Sequence, residues 1–185
     1  TYSATLSDDS SLSWLSINSS TGVLSGTPAN GDVGAIAVKV TATDTNSASI
    51  SDTYTLTVNN TNDAPTISTT ISDTLTNEDA AYSYNASANF SDVDSGDTFT
   101  YSATLSDDSS LPSWLSINSS TGVLSGTPAN GDVASIDITV TATDTSGGSI
   151  SDTYALTVTN TNNTPSVSSA IANAYTNEDA AYSYN

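Results

Sequence analysis

Three carboxylates fall within six residues in the run Ser91-Asp92-Val93-Asp94-Ser95-Gly96-Asp97. Hard cations such as Ca²⁺ take about six to eight oxygens from carboxylates, amide carbonyls and backbone, on loops able to bend around them. Alternate residues of a D-x-D pair can point the same way, so one ion can use both. Held close without a cation, such groups repel and raise one another's pKa. Asn77-Glu78-Asp79, Thr143-Asp144-Thr145 and Asn60-Thr61-Asn62-Asp63 add further oxygen donors at expected strand ends. Asp8, Asp9, Asp107 and Asp108 read instead as ordinary solvated loop acids.

Other chemistries lack their residues. The chain has neither His nor Cys, and its single Lys or Arg is Lys39, which becomes Thr139 in a second copy of the same segment. Ser/His, Cys/His and Ser/Lys arrangements therefore cannot be built. A paired-carboxylate glycosidase needs two acids across a cleft, and no such pair stands outside the cation-like groups. A non-enzyme is expected. Lys–Asn cross-links are excluded for residues 63–162, which contain no Lys.

Twenty Asp and Glu against one cation give a net charge of −19. That charge excludes nucleic acid and anionic membrane surfaces as partners and implies self-repulsion unless a positive ion sits among the acids. No apolar run approaches the ~18–20 residues of a membrane span, so no membrane insertion is expected from this stretch. No disulfide framework is possible.

The elements that must carry these acids are strands. Ile136, Ile138, Val140 and Ala142 alternate with Asp137, Thr139, Thr141 and Thr143, a period of two with one buried face. Tyr154, Leu156 and Val158 alternate in the same way after Gly147-Gly148, which predicts a hairpin. Phe99 to Leu105, Trp114 to Ile117, and the short Val123-Leu124 segment between Gly-containing turns give three more. Residues 67–71 and 81–90 supply the first two. Trp114 is expected in the core beside Leu115. Seven short strands with frequent turns predict an all-β, antiparallel Greek-key β-sandwich of cadherin or Ig type.

The sandwich is repeated. Residues 1–12 recur letter for letter at 100–111, and 13–85 recur at 113–185 with about twenty substitutions. A period near 100 residues suits one small domain, so the chain reads as a tandem array. The expected division is 1–62, the later part of one repeat; 63–162, a complete repeat; and 163–185, the opening of the next. Neither end resembles a natural terminus, so a stretch of a longer tandem chain is expected. A subunit whose broken end domains are completed by neighbours is the alternative.

The order N-E-D-A-x-Y, F-S-D-V-D-S-G-D-T-F-T-Y-S-A, S-W-L-S-I-N-S-S-T-G-V-L-S-G-T-P, V-T-A-T-D and T-N-D-A-P resembles the dystroglycan-type cadherin-like repeats of large bacterial surface proteins. The resemblance implies calcium at domain junctions, with ligands from both neighbours and the linker. The linker acid motif matches Asn60, Asn62 and Asp63; the D-x-D matches Asp92 and Asp94; the late Asp matches Asp144; the acid near the first strand matches Glu78. Where cadherins carry an acidic triplet before the T-G turn, this chain has Asn18-Ser19-Ser20 and Asn118-Ser119-Ser120, which implies weaker or fewer sites. Asn163 in place of Asp63 weakens the second linker further.

These readings converge on a non-catalytic, calcium-rigidified extender repeat of a secreted or cell-surface bacterial adhesin, whose nearest partners are neighbouring repeats. Two other readings stand beside it: a carbohydrate-binding module of a polysaccharide-active or surface protein, and a self-assembling extracellular filament subunit.

Overall fold

In the computed structural model, which describes residues 1–184, fourteen strands run through the chain. The first five are β1 (Tyr2–Leu6), β2 (Leu15–Ile17), β3 (Leu24–Gly26), β4 (Gly34–Thr43) and β5 (Ser49–Val58). Next come β6 (Thr66–Ile67), β7 (Thr74–Asn77), β8 (Tyr82–Asn85), β9 (Phe90–Ser91) and β10 (Thr100–Leu105). The last four are β11 (Leu115–Ile117), β12 (Val123–Gly126), β13 (Ser135–Thr143) and β14 (Ser149–Thr159). No helix among the described residues is long and apolar enough to cross a membrane.

From β6 onward the strands form a sandwich. One sheet has the order β10-β13-β14-β7, the other β11-β12-β8, and β6 pairs with β9 beside them. Alternation dictates the packing. In β13 the side chains of Ile138, Val140 and Ala142 are fully buried, and they meet Tyr154, Leu156, Tyr82, Leu115 and Leu124 in one core. The outward residues zip the same strands together: Thr139 lies 2.9 Å from the Thr153 hydroxyl and Thr141 2.8 Å from that of Ser151. Such cross-strand hydroxyl pairs each add roughly 0.2–1 kcal/mol. Trp114 is half-buried against this core. A side chain at Gly126 would stand 1.8 Å from the Trp114 carbonyl oxygen, so the strand pair closes only over glycine.

The hairpin expected at Gly147-Gly148 is present, with β13 antiparallel to β14 from Ser135↔Thr157 to Thr143↔Ser149. Two local expectations differ. The strand expected over 67–71 ends at Ile67, and a strand without an apolar pattern, β7, follows at Thr74. This strand joins β14 in parallel (Leu156↔Thr74), the one parallel pair among the described strands. Its Leu75 is exposed, which is why alternation does not mark it. The strand expected over 81–90 is broken by a short 3-10 turn at Ser87–Asn89. That turn drops Ala86 and Phe90 into the core.

The earlier strands repeat part of this plan: β1-β4-β5 form one sheet and β2-β3 a second. Residues 160–184 contain no strand.

Candidate metal centre

The loop after β9 curls on itself before β10 begins. The Asp94 N–H donates to Oδ1 of Asp92 at 3.0 Å, and the Asp97 N–H donates to the Asp94 carbonyl at 3.3 Å. Gly96 turns the chain at φ +95, a value glycine adopts without steric cost. Across from it, the β13–β14 turn is built around Asp144, whose Oδ1 accepts the N–H groups of Ser146 (2.8 Å) and Gly148 (2.9 Å).

The linker threads between these two loops. The Asn62 side-chain amide donates to Oδ2 of Asp144 at 3.0 Å, and the Asp63 N–H donates to Oδ2 of Asp94 at 2.7 Å. The Asp63 carboxylate faces the other way and accepts from the Asn30 amide at 2.7 Å. Close passage of the linker leaves no room at Gly148, where a Cβ would meet Asp144 Oδ2 at 2.5 Å and the Ala64 Cα at 3.2 Å.

Asp92, Asp97 and Asp144 each place a carboxylate oxygen within 4.8 Å of the others. Ligand oxygens around one Ca²⁺ at ~2.4 Å lie no more than about 4.8 Å apart, so the three suit a single ion. A second observation concerns unused acceptors. Asp92 Oδ2, Asp94 Oδ1 and Asp97 Oδ2 are buried without a hydrogen-bond partner, and Asp94 is only 5% exposed. Buried carboxylate oxygens are costly to leave unsatisfied. No side chain of the chain is available to neutralise them, because the one cation, Lys39, pairs with Asp9. The Asn62 amide, aided by the N–H groups of Ser146 and Gly148, holds the Asp144 carboxyl below the usual range despite burial, so it stays ionised. The residues present fit a hard divalent cation.

Asn62, Asp63, Asp92, Asp94 and Asp144 are thus brought together. Asp97, the third acid of the run, joins them although the linker and D-x-D matches do not include it. Its signal was the spacing itself, with Gly96 turning the loop back. Asn60 is exposed beside Asp63 on a cleft that also receives Pro28 and Asn30. Glu78 stands apart, against the second linker. Its Oε1 accepts the Thr161 N–H at 2.9 Å and the Asn163 amide at 3.4 Å, and its Oε2 is buried without a partner. The seven residues therefore fall into two groups, Glu78 beside residues 161–163 and the other six around residues 60–63.

Asn118 serves its own turn, with Oδ1 accepting the N–H groups of Ser120 and Thr121, each at 3.0 Å. Asp8 and Asp107 are exposed and accept from Ser10 and Ser109, as solvated loop acids do.

The profile of the He_PIG family, described as Putative Ig domain, matches residues 1–59 and again 64–159. The chain belongs to that family. Solved structures place its fold beside cadherin ectodomains. Protocadherin Gamma B2 extracellular domains 1–5 superpose with a TM-score of 0.62 at 18% identity, over 88% of this chain and 33% of that one. Human CDH23 EC21-23 superposes with a TM-score of 0.58 at 18% identity, over 85% of this chain and 56% of that one. An endo-fucoidan hydrolase of glycoside hydrolase family 107 aligns at 25% identity over 86% of this chain and 24% of its own, with a TM-score of 0.45. The chain spans about a quarter to about half the length of these proteins. No curated protein sequence matches it. The Putative Ig repeat is therefore an Ig/cadherin-like β-sandwich with an acidic cluster able to hold a metal at one end.

Proposed function

We propose that this chain is a non-catalytic extender whose dystroglycan-type, cadherin-like repeats, divided at 1–62, 63–162 and 163–185, are locked end to end by Ca²⁺ in a secreted or surface-anchored bacterial adhesin. The observation that carries the proposal is the double grip of the linker: Asn62 on Asp144 and Asp63 on Asp94, beside buried carboxylate oxygens with no partner. Asp92, Asp97 and Asp144 would hold the ion with Asp94 beside them, while Asn62 and Asp63 tie the linker to Asp144 and Asp94. Asn60 would flank the first joint and Glu78 would serve the next. A bound divalent cation supplies the positive charge that lets these carboxylates stay together.

The mechanics follow from linkage. An ion that binds only the docked linker stabilises that arrangement by RT ln(1 + [L]/Kd), about 2.7 kcal/mol at a hundredfold excess over Kd. Flexing the joint would pull Asn62 and Asp63 from the carboxylates, and the ion opposes it. Neighbouring repeats are then the chief partners, and the string becomes a rod that presents whatever lies at its tip.

The carbohydrate-binding reading needs exposed aromatic rings. Within 63–162 every Tyr, Phe and Trp is buried or half-buried, which favours the extender.

Calorimetric titration of Ca²⁺ into the chain, paired with small-angle scattering before and after chelation, tests the proposal. It expects saturable binding and a stiffer, longer particle with calcium. Absence of binding heat together with identical scattering curves would refute it.

A further inference from the structure

The dipeptide Asn-Gly occurs twice in the chain, as Asn30-Gly31 and Asn130-Gly131, at matching positions of two repeats. Each pair forms the crest of a short 3-10 turn, Asn30–Asp32 and Asn130–Asp132. The feet of the turns are tied down. The Asp32 N–H donates to the Ala29 carbonyl and the Ala29 N–H to Oδ2 of Asp32, both at 2.8 Å. Asp132 and Ala129 repeat these two bonds at 2.8 Å. The crests are bare. Both asparagines and both glycines are exposed, and among the described residues neither glycine N–H donates to a protein group. A Cβ built at either glycine would meet nothing within 4 Å.

An asparagine side chain can close on an unhindered backbone nitrogen that follows it. The glycine nitrogen loses its proton to base and bonds to the asparagine Cγ, the Cγ–Nδ2 bond breaks, and ammonia leaves. Water then opens the five-membered succinimide at either carbonyl, giving Asp or isoaspartate. Glycine favours this closure, because no Cβ shields its nitrogen and its backbone moves freely.

The two crests are held differently. The Asn30 amide donates to Oδ2 of Asp63 at 2.7 Å, and the Asn30 carbonyl accepts the Val33 N–H at 3.4 Å. Among the described residues Asn130 has neither bond. Asn163 stands where Asp63 does in the earlier repeat, and it turns its amide to Oε1 of Glu78 at 3.4 Å.

We propose that both pairs are deamidation sites, and that Asn130 converts first because Asp63 clamps Asn30. Ring closure must swing the Asn30 Cγ off Asp63 and onto the Gly31 nitrogen, so only the undocked fraction reacts. Conversion of Asn30 is then a one-way change at the linker. A donor to Asp63 becomes a carboxylate facing it, and the two like charges repel. The order of the two rates does not rest on the metal reading above; only a further slowing of Asn30 by Ca²⁺ does.

The full chain is held in mildly alkaline buffer with chelator, and amide-to-acid conversion at each pair is followed by peptide mass mapping. Asn130 should convert roughly tenfold faster than Asn30, a factor that one net hydrogen bond to a charged acceptor supplies. Asp63→Ala should raise the Asn30 rate to that of Asn130 and leave Asn130 itself unchanged. Gly131→Ala, which the open crest accepts without a clash, should suppress conversion of Asn130 and keep the melting temperature. Asn30→Asp carries the side chain of one product, and in chelator it should scatter as flexibly as Asp63→Ala. Equal rates at Asn30 and Asn130 overturn the proposal. So do an Asn30 rate indifferent to Asp63→Ala, an Asn130 that stays amidated while the denatured chain converts, conversion of Asn130 that persists in Gly131→Ala, or parent-like scattering from Asn30→Asp. An Asn30 rate identical in calcium and in chelator strikes the metal reading alone.

Discussion

The backbone N–H of Asp63 donates to the buried Oδ2 of Asp94 at 2.7 Å, while the side chain of the same Asp63 accepts from Asn30. One linker residue thus touches the repeat behind it and the loop ahead of it. The contact between repeats here is polar, made of carboxylates and amides, and its strength depends on what neutralises them.

The first prediction concerns the ligands. Asp92→Ala with Asp94→Ala should remove the calcium response, giving in excess Ca²⁺ the melting temperature of the chelated parent. With about 2.7 kcal/mol of linkage at a hundredfold excess over Kd, and about 4–8 °C per kcal/mol for a domain near 100 residues, the loss is of order 10 °C. Asp107→Ala with Asp108→Ala should keep the response. Calorimetric melting of both variants, with and without chelator, is the check.

A second prediction follows from Gly148. A methyl group there would press on Asp144 Oδ2 at 2.5 Å and on Ala64. Gly148→Ala should weaken calcium binding roughly tenfold, about 1.4 kcal/mol, with a smaller change in chelated stability. The first repeat carries Ala48 at this position, so Ala48→Gly serves as the control and should leave the affinity of the Asn62–Asp63 joint unchanged. Equal affinities for Gly148→Ala and the parent would remove close linker passage as a determinant.

These two tests also show what the sequence made legible. Alternation over 136–143 and 154–158 specifies β13, β14 and their buried face, because a period of two has one core-facing solution. The density of acids over 92–97 marks the loop that forms the centre. Two things were hidden. β7 is held by parallel pairing to β14 some eighty residues away, and its own residues, Thr74 to Asn77, carry no alternating pattern. Glu78 meets Thr161 across 83 residues, and nothing local to either segment says which joint it serves.

Acid titration gives a third prediction. The Asn62 amide is the largest cause holding the Asp144 carboxyl below its ordinary value. A lowered folded pKa contributes stability above the unfolded value, near 3.9, and loses it as pH falls through the folded value. Asn62→Ala should therefore move the Asp144 titration up toward the ordinary range and shift the onset of acid unfolding to higher pH. Carboxyl carbon NMR in chelator reads this directly. An unchanged Asp144 titration in the variant would show that the turn N–H groups alone set it.

The fourth prediction lies in the core. Burial, and then the bond to Tyr82, push the Tyr154 phenol well above the ordinary tyrosine value. A raised folded pKa contributes stability below about pH 10 and loses it as pH rises above that value. Tyr154→Phe removes a hydroxyl whose net worth is about 1 kcal/mol, and Tyr82 keeps Thr74 as a partner at 3.1 Å. The variant should be slightly less stable at neutral pH yet lose less of its stability between pH 9 and 11. Denaturant melts across that window settle the matter: parallel loss in both proteins would mean that Tyr154 ionises no differently once folded.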